Sequence, residues 1–182
     1  MLHDAVGDAL TAEEHCTRAA ALFDKAGDVL GCLRAGIVNI RLWEKAGRPR
    51  DAVQAYREVV DGLNDPRNSV HVAVNQREVM TITAAIHVSL VYLNVGEWQE
   101  AIDALAPLRG RLETMGYGRN ECKIRLHLGH ALSHLGLFEE AAAEYRALFT
   151  ATEQVPEELA AEARASLAAL ASDSHKPPTH FS

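Results

Sequence analysis

Apolar residues return every three or four positions along most of the chain, and glycines punctuate the pattern. The clearest stretch runs from Leu128 to Leu148. Leu128, Leu132 and Leu135 fall on one helical face. Gly136 has no Cβ and is suited to the left-handed conformation that ends a helix. The stripe resumes at Phe138 and continues through Ala141, Tyr145 and Leu148, with Glu139 and Glu140 in a first turn where the helix dipole favours negative charge. The pattern predicts two helices folded back across a short turn. Gly129 and Ala141 are small where the helices cross, and Leu132 and Tyr145 fill the space around them.

Partial copies of this unit recur. Gly96 is preceded by Tyr92 and Leu93 and followed by Trp98, Ala101 and Leu105; Gly47 is preceded by Trp43 and followed by Ala52 and Tyr56. Taken in order, residues 1–10 read as the tail of a short helix, and Thr11-Ala-Glu-Glu14 as a capping box opening the next, which Gly27 ends. Asp28 to Ala46 reads as a front helix, and Pro49 opens its return helix to about Leu63. A turn cluster at 64–68 precedes one long helix over 69–95. Trp98 to about Met115 is its partner, although Pro107 is ill placed inside a helix. Gly116-Tyr-Gly118 breaks the chain. Helices over 119–135 and 138–153 follow, then a last one opened by Pro156 with the stripe Leu159, Ala163, Leu167 and Leu170. Residues 172–182 are polar with two prolines and read as a disordered tail.

The Leu-Gly pair, the large residue three positions on, the glycine turn and the Ala-x-x-x-aromatic run together resemble the tetratricopeptide repeat (TPR). The likeness covers roughly residues 11–155. The turn glycines at 47, 96 and 136 are 49 and 40 residues apart, against a usual period of about 34. The units therefore look like the longer form found in arms of bacterial regulators and adaptors. The resemblance implies an all-α fold: an antiparallel helix-pair solenoid, a TPR-like superhelix with about three repeats (28–63, 69–115 and 119–153) and a capping helix over 156–171. The whole of 1–171 then forms a single domain. The first pair lacks most of its front half, so the chain either begins inside a repeat or has been cut from something longer.

In that family the front helices line a concave groove. Carried onto this chain, the groove takes Arg34, Ile37, Arg41, Glu44 and Lys45 from the first repeat. It takes Thr83, His87, Leu90 and Asn94, beside Ile86, from the second, and Lys123, His127, His130 and His134, beside Leu126, from the third. Four fixed cations and four histidines face one carboxylate. Such a groove suits an anionic segment; the alternative is that these charges are simply solvated. Of the positions with which some TPR domains clamp a chaperone's terminal carboxylate, only Lys123 matches in type; Ile37, Arg41, His87 and His127 occupy others.

Composition narrows the function classes. Hydrophobic content is 48% with 5% aromatic, and alanine is plentiful, as closely packed helices require. A net charge of −7 argues against direct nucleic-acid binding. No apolar run reads as a membrane span and the N-terminus has no signal-peptide pattern, so the expected location is cytoplasmic, with no membrane partner. Cys16, Cys32 and Cys122 are scattered and read as reduced thiols.

His127, His130 and His134 share one helical face, which makes them candidate ligands for zinc or copper. HLGHALSH contains no glutamate, so it is not the HExxH metalloprotease motif. Ser133 and His134 are adjacent and point in different directions. No catalytic motif is present, so neither an enzyme nor a cofactor is expected. The leading expectation is a protein-interaction module that holds a peptide or flexible partner segment, with homodimerisation open. The alternatives are a sensor arm of a larger bacterial transcriptional regulator, and a histidine-cluster metal protein or enzyme.

Overall fold

The computed structural model describes residues 2–109, 118–150 and 154–173. Among them every regular element is helical. The α-helices are α1 (Leu2–Ala26), α2 (Val29–Lys45), α3 (Pro49–Asn64), α4 (Val74–Val95), α5 (Trp98–Leu105), α6 (Gly118–His134), α7 (Phe138–Leu148) and α8 (Glu157–Asp173). Short 3-10 segments occupy Pro66–Val70 and Ala106–Leu108. Contacts divide the chain into two compact units, Met1–Gly96 and Glu97–Ser182.

One turn is used four times. Gly27, Gly47, Gly96 and Gly136 have φ of 67°, 66°, 82° and 78°. Each is followed by a single residue that starts the next helix: Asp28, Arg48, Glu97 or Leu137, with φ between −83° and −109° and ψ between 65° and 83°. At three of them the same pair of backbone bonds closes the preceding helix. Gly47 N–H donates to the Glu44 carbonyl at 3.1 Å and Arg48 N–H to that of Trp43 at 2.8 Å, and equivalent pairs stand at Gly27 and Gly136. This is a Schellman ending, which needs a left-handed residue and so selects glycine. Asp28 also caps α2 by accepting from Gly31 N–H at 2.9 Å, and Pro49 opens α3 at a position where its missing N–H costs nothing.

In the first unit α1 packs on α2, α2 on α3, and α4 on both α2 and α3. Ile40, Ala52, Val59, Ile82, Ala85 and Val88 lie in its interior. Glu13, midway along α1, ties the end of α2 to the start of α3: it accepts from Trp43 Nε1 at 3.0 Å and from Arg48 at 2.6 Å. In the second unit α6 packs on α5, α7 and α8, and α7 on α8. Its core joins Cys122, Leu126, Tyr145 and Leu148 to Leu159 and Ala163 of α8. Gly129 sits directly against the Tyr145 ring, where a Cβ would clash with three ring carbons.

Several boundaries differ from the sequence reading. α1 is continuous through Thr11, so the capping box does not open a helix there. The long helix expected over 69–95 begins at Val74, not residue 69, because Asp65 caps a 3-10 turn through Arg67 N–H and Pro66 leads the chain through it. α5 stops at Leu105, and Pro107 lies in the 3-10 segment that replaces its continuation. α7 ends at Leu148, not 153, and α8 runs to Asp173, not 171. The break at Gly116-Tyr117 and the tail over 174–182 lie outside the described residues; Gly118 is the first residue of α6.

α4 also corrects the reading that no segment reaches membrane-span length: its 22 residues are long and apolar enough by length and composition alone. Its packing on α2 and α3 accounts for that composition, since Met80, Ile82, Ala84, Val88 and Val91 are buried within the unit.

Candidate functional site

The residues assigned to one groove fall in both units, and each group is best seen within its own. In the first unit the open face of α2 carries Arg34, Val38, Arg41 and Lys45 at intervals of four, three and four residues, which places them in one stripe. All four are exposed. Among the described residues none of the three cations is held in an ion pair. Ile37 departs from the predicted set on α2, as Ile86 does on α4. It is 9% exposed and belongs to the core, because its position faces inward, toward the side of Leu33 and Ile40.

Glu44 lies at the C-terminal end of the stripe. With Pro49, Val91 and Asn94 it lines a cleft of about 240 Å³. Burial pushes its carboxyl above the usual range, against the pull of Lys45 and Arg41. On α4, Thr83, His87 and Leu90 are half-buried and Asn94 is exposed. The Thr83 hydroxyl donates to the Val79 carbonyl at 2.7 Å, so its proton is already used within the helix. The cleft brings Glu44 and Asn94 together.

The four predicted residues of α6 part company. Lys123 is half-buried. His127 is 6% exposed and, like Leu126, faces the interior. His134 is exposed and stacks on Trp98 of α5, ring centroids 4.1 Å apart and planes 6° from parallel. His130 points toward α8. Its Nε2 lies 3.5 Å from Ser166 Oγ and 3.7 Å from Glu162 Oε1, and its ring meets the Tyr145 ring edge-on at 5.7 Å. Burial pushes the His130 pKa down; Glu162 pulls it up and His134 pushes it further down. Burial likewise raises the Tyr145 phenol, to about 12, and Ser166 hydrogen-bonds to it.

The histidine cluster therefore does not converge, and among the described residues no three His, Cys, Asp or Glu side chains are grouped to hold a metal ion. Helical spacing put the three rings on one side of α6, but that side is split between the interior, the α8 seam and the α5 aromatic. A serine, a histidine and a glutamate do meet at the seam. They do not form a relay, because Ser166 and Glu162 both address the same nitrogen, whereas a base needs its orienting carboxylate on the other.

The sequence reading missed two features. Ser166 and Glu162 flank His130 only because α8 packs on α6, a contact 32 or more positions distant that periodicity does not encode. Likewise, a charged network lies inside the second unit. Arg125 is 13% exposed; it forms an ion pair with Glu121, which is fully buried, at 2.9 Å and donates to Glu144 at 3.2 Å, and Arg109 also pairs with Glu144. The i, i+4 spacing of Glu121 and Arg125 was a legible signal for half of it.

No protein-family model matches the chain, and neither a curated protein nor a solved structure does so.

Proposed function

We propose that the chain is a helix-pair interaction module of the TPR-like, solenoid kind, and that it holds an anionic peptide or flexible segment of a partner protein along the α2 and α4 face of its first unit. The observation that carries this reading is the stripe of Arg34, Val38, Arg41 and Lys45. Three exposed cations share one helical face with an exposed valine, in a protein of net charge −7. That combination offers an acidic segment both charge and an apolar foothold. The recurring glycine turn and the contacts between alternate helices, α2 with α4 and α6 with α8, support the repeat architecture.

The anionic reading rests on the first unit alone. Of the predicted groove residues on α6 only Lys123 contributes a fixed charge, since His127 is interior and burial disfavours a charged His130. The test is selectivity among labelled peptides of one length that are acidic, neutral or basic, titrated with the full chain. The acidic peptide is expected to bind best. Its affinity should fall between about 0.01 M and about 1 M salt, as the screening length shortens from about 30 Å to about 3 Å. Equal binding of all three, or binding indifferent to salt, would rule the stripe out.

A further inference from the structure

The second unit carries a cleft of different chemistry. About 210 Å³ in volume, it opens between α6, α7 and α8. Four rings line it: His130, His134, Phe138 and Tyr145. Ser133 and Ser166 add hydroxyls, and Leu170 closes one side. Phe138 is 51% exposed, although large apolar side chains usually find cover. The parallel stack on Trp98 braces His134 as a platform at the rim. Among the described residues no lysine or arginine lines the cleft. Beside it stands the half-exposed Glu162 carboxylate, 3.7 Å from His130 Nε2. The arginine two positions on, Arg164, is engaged elsewhere, with Glu157 and over the Phe149 ring.

Size and charge both select the occupant. Cofactor and drug-sized pockets run from about 300 Å³ upward, so this cleft suits one side chain. Ring faces carry negative potential and attract a cation, most strongly when water is displaced. Glu162 adds a full negative charge, and the hydroxyls can accept N–H donors. The surrounding unit has the same sign: residues 97–182 contain 13 carboxylates against 8 lysines and arginines. Burial disfavours the charged form of His130, which limits its opposition to a cation.

We infer that this cleft is a binding site for a single cationic side chain, a guanidinium or lysine ammonium presented by a partner, seated on the Phe138 and His134 rings and paired with Glu162. This site is independent of the anionic segment proposed for the first unit and opposite to it in charge preference.

The test uses the full chain at pH 7.5 and two small probes, N-acetylarginine amide and its neutral isostere N-acetylcitrulline amide. Ring-proton NMR signals of His130 and His134 report occupancy. The arginine probe should shift both signals saturably and bind at least about fivefold more tightly than the citrulline probe. Glu162→Gln should remove most of that preference. Phe138→Ala, which alters an exposed side chain, should weaken the arginine probe while leaving the helical circular dichroism unchanged. Three results would each overturn the site: no saturable shift with arginine, equal affinity for the two probes, or arginine binding unaffected by both variants.

Discussion

Gly129 shows how much one missing methyl determines here. The Tyr145 ring, 1% exposed, lies where a Cβ would project, and the two helices cross at that point. Gly129→Ala is expected to destabilise the protein by about 1–2 kcal/mol. Overpacking costs roughly 1–3 kcal/mol, and the better helix propensity of alanine returns up to about 1 kcal/mol. Urea denaturation measures the difference, and a more stable variant would mean that the tyrosine moves freely aside. Arg125 makes a sharper case. It lies between the buried Glu121 and Glu144, so Arg125→Met removes the cation beside Glu121 and leaves Glu144 with Arg109 alone, and should cost about 3–5 kcal/mol. Replacing Glu121 and Glu144 by apolar residues of similar volume in the same variant should recover most of that loss.

Residues of this kind differ in how legible they are in a sequence. The turn glycines at 27, 47, 96 and 136 were readable because a left-handed residue at a helix end is a local requirement. The tight contact of Gly129 with Tyr145 was readable because both belong to one helix pair. Glu144 was not, since its acidic side chain sits in α7 among alanines and only the fold turns it toward Arg125.

At the scale of elements, helix existence followed from apolar periodicity, and helix ends followed from competing local chemistry. Asp65 and Pro66 divert the chain into a 3-10 turn ahead of α4, and Pro107 ends regular α-helix after Leu105. The inward turn of Ile37 and His127 depended on how much of each helix its neighbours cover, which a stripe of one period cannot specify. The α6–α8 seam yields a pH prediction. His130 has a folded pKa below its ordinary value of 6.5. Its contribution is therefore fully present above pH 6.5 and is lost as pH falls through the folded value. Thermal melts from pH 7.5 to pH 5 should show a fall in stability that is shallower in His130→Gln. An identical slope in both proteins would remove His130 from the seam's energetics.

Across the whole molecule, a net charge of −7 hides an uneven surface. The α2 face is basic, while the second unit has an acidic excess. Glu44 is the one carboxylate among the predicted groove residues, and burial raises its pKa. Its sign is opposite to that of His130: stability is greatest below the unfolded value of 4.5 and falls as pH rises through the folded pKa. Glu44→Gln should accordingly be more stable than the wild type at pH 7, with the difference vanishing near pH 4. It should also bind acidic peptide more tightly, because a negative charge beside the stripe is gone.

Charge reversal on the stripe tests the central claim most directly. The affinity of one labelled acidic peptide, and of its basic counterpart, is measured by fluorescence anisotropy against the wild type and the double variant Arg34→Glu, Arg41→Glu. Both positions are exposed, so the fold should survive, and circular dichroism checks that it does. The account predicts that the acidic peptide binds the wild type and loses the variant, while the basic peptide gains it. An acidic peptide that ignores the wild type, or binds both proteins alike, would contradict it.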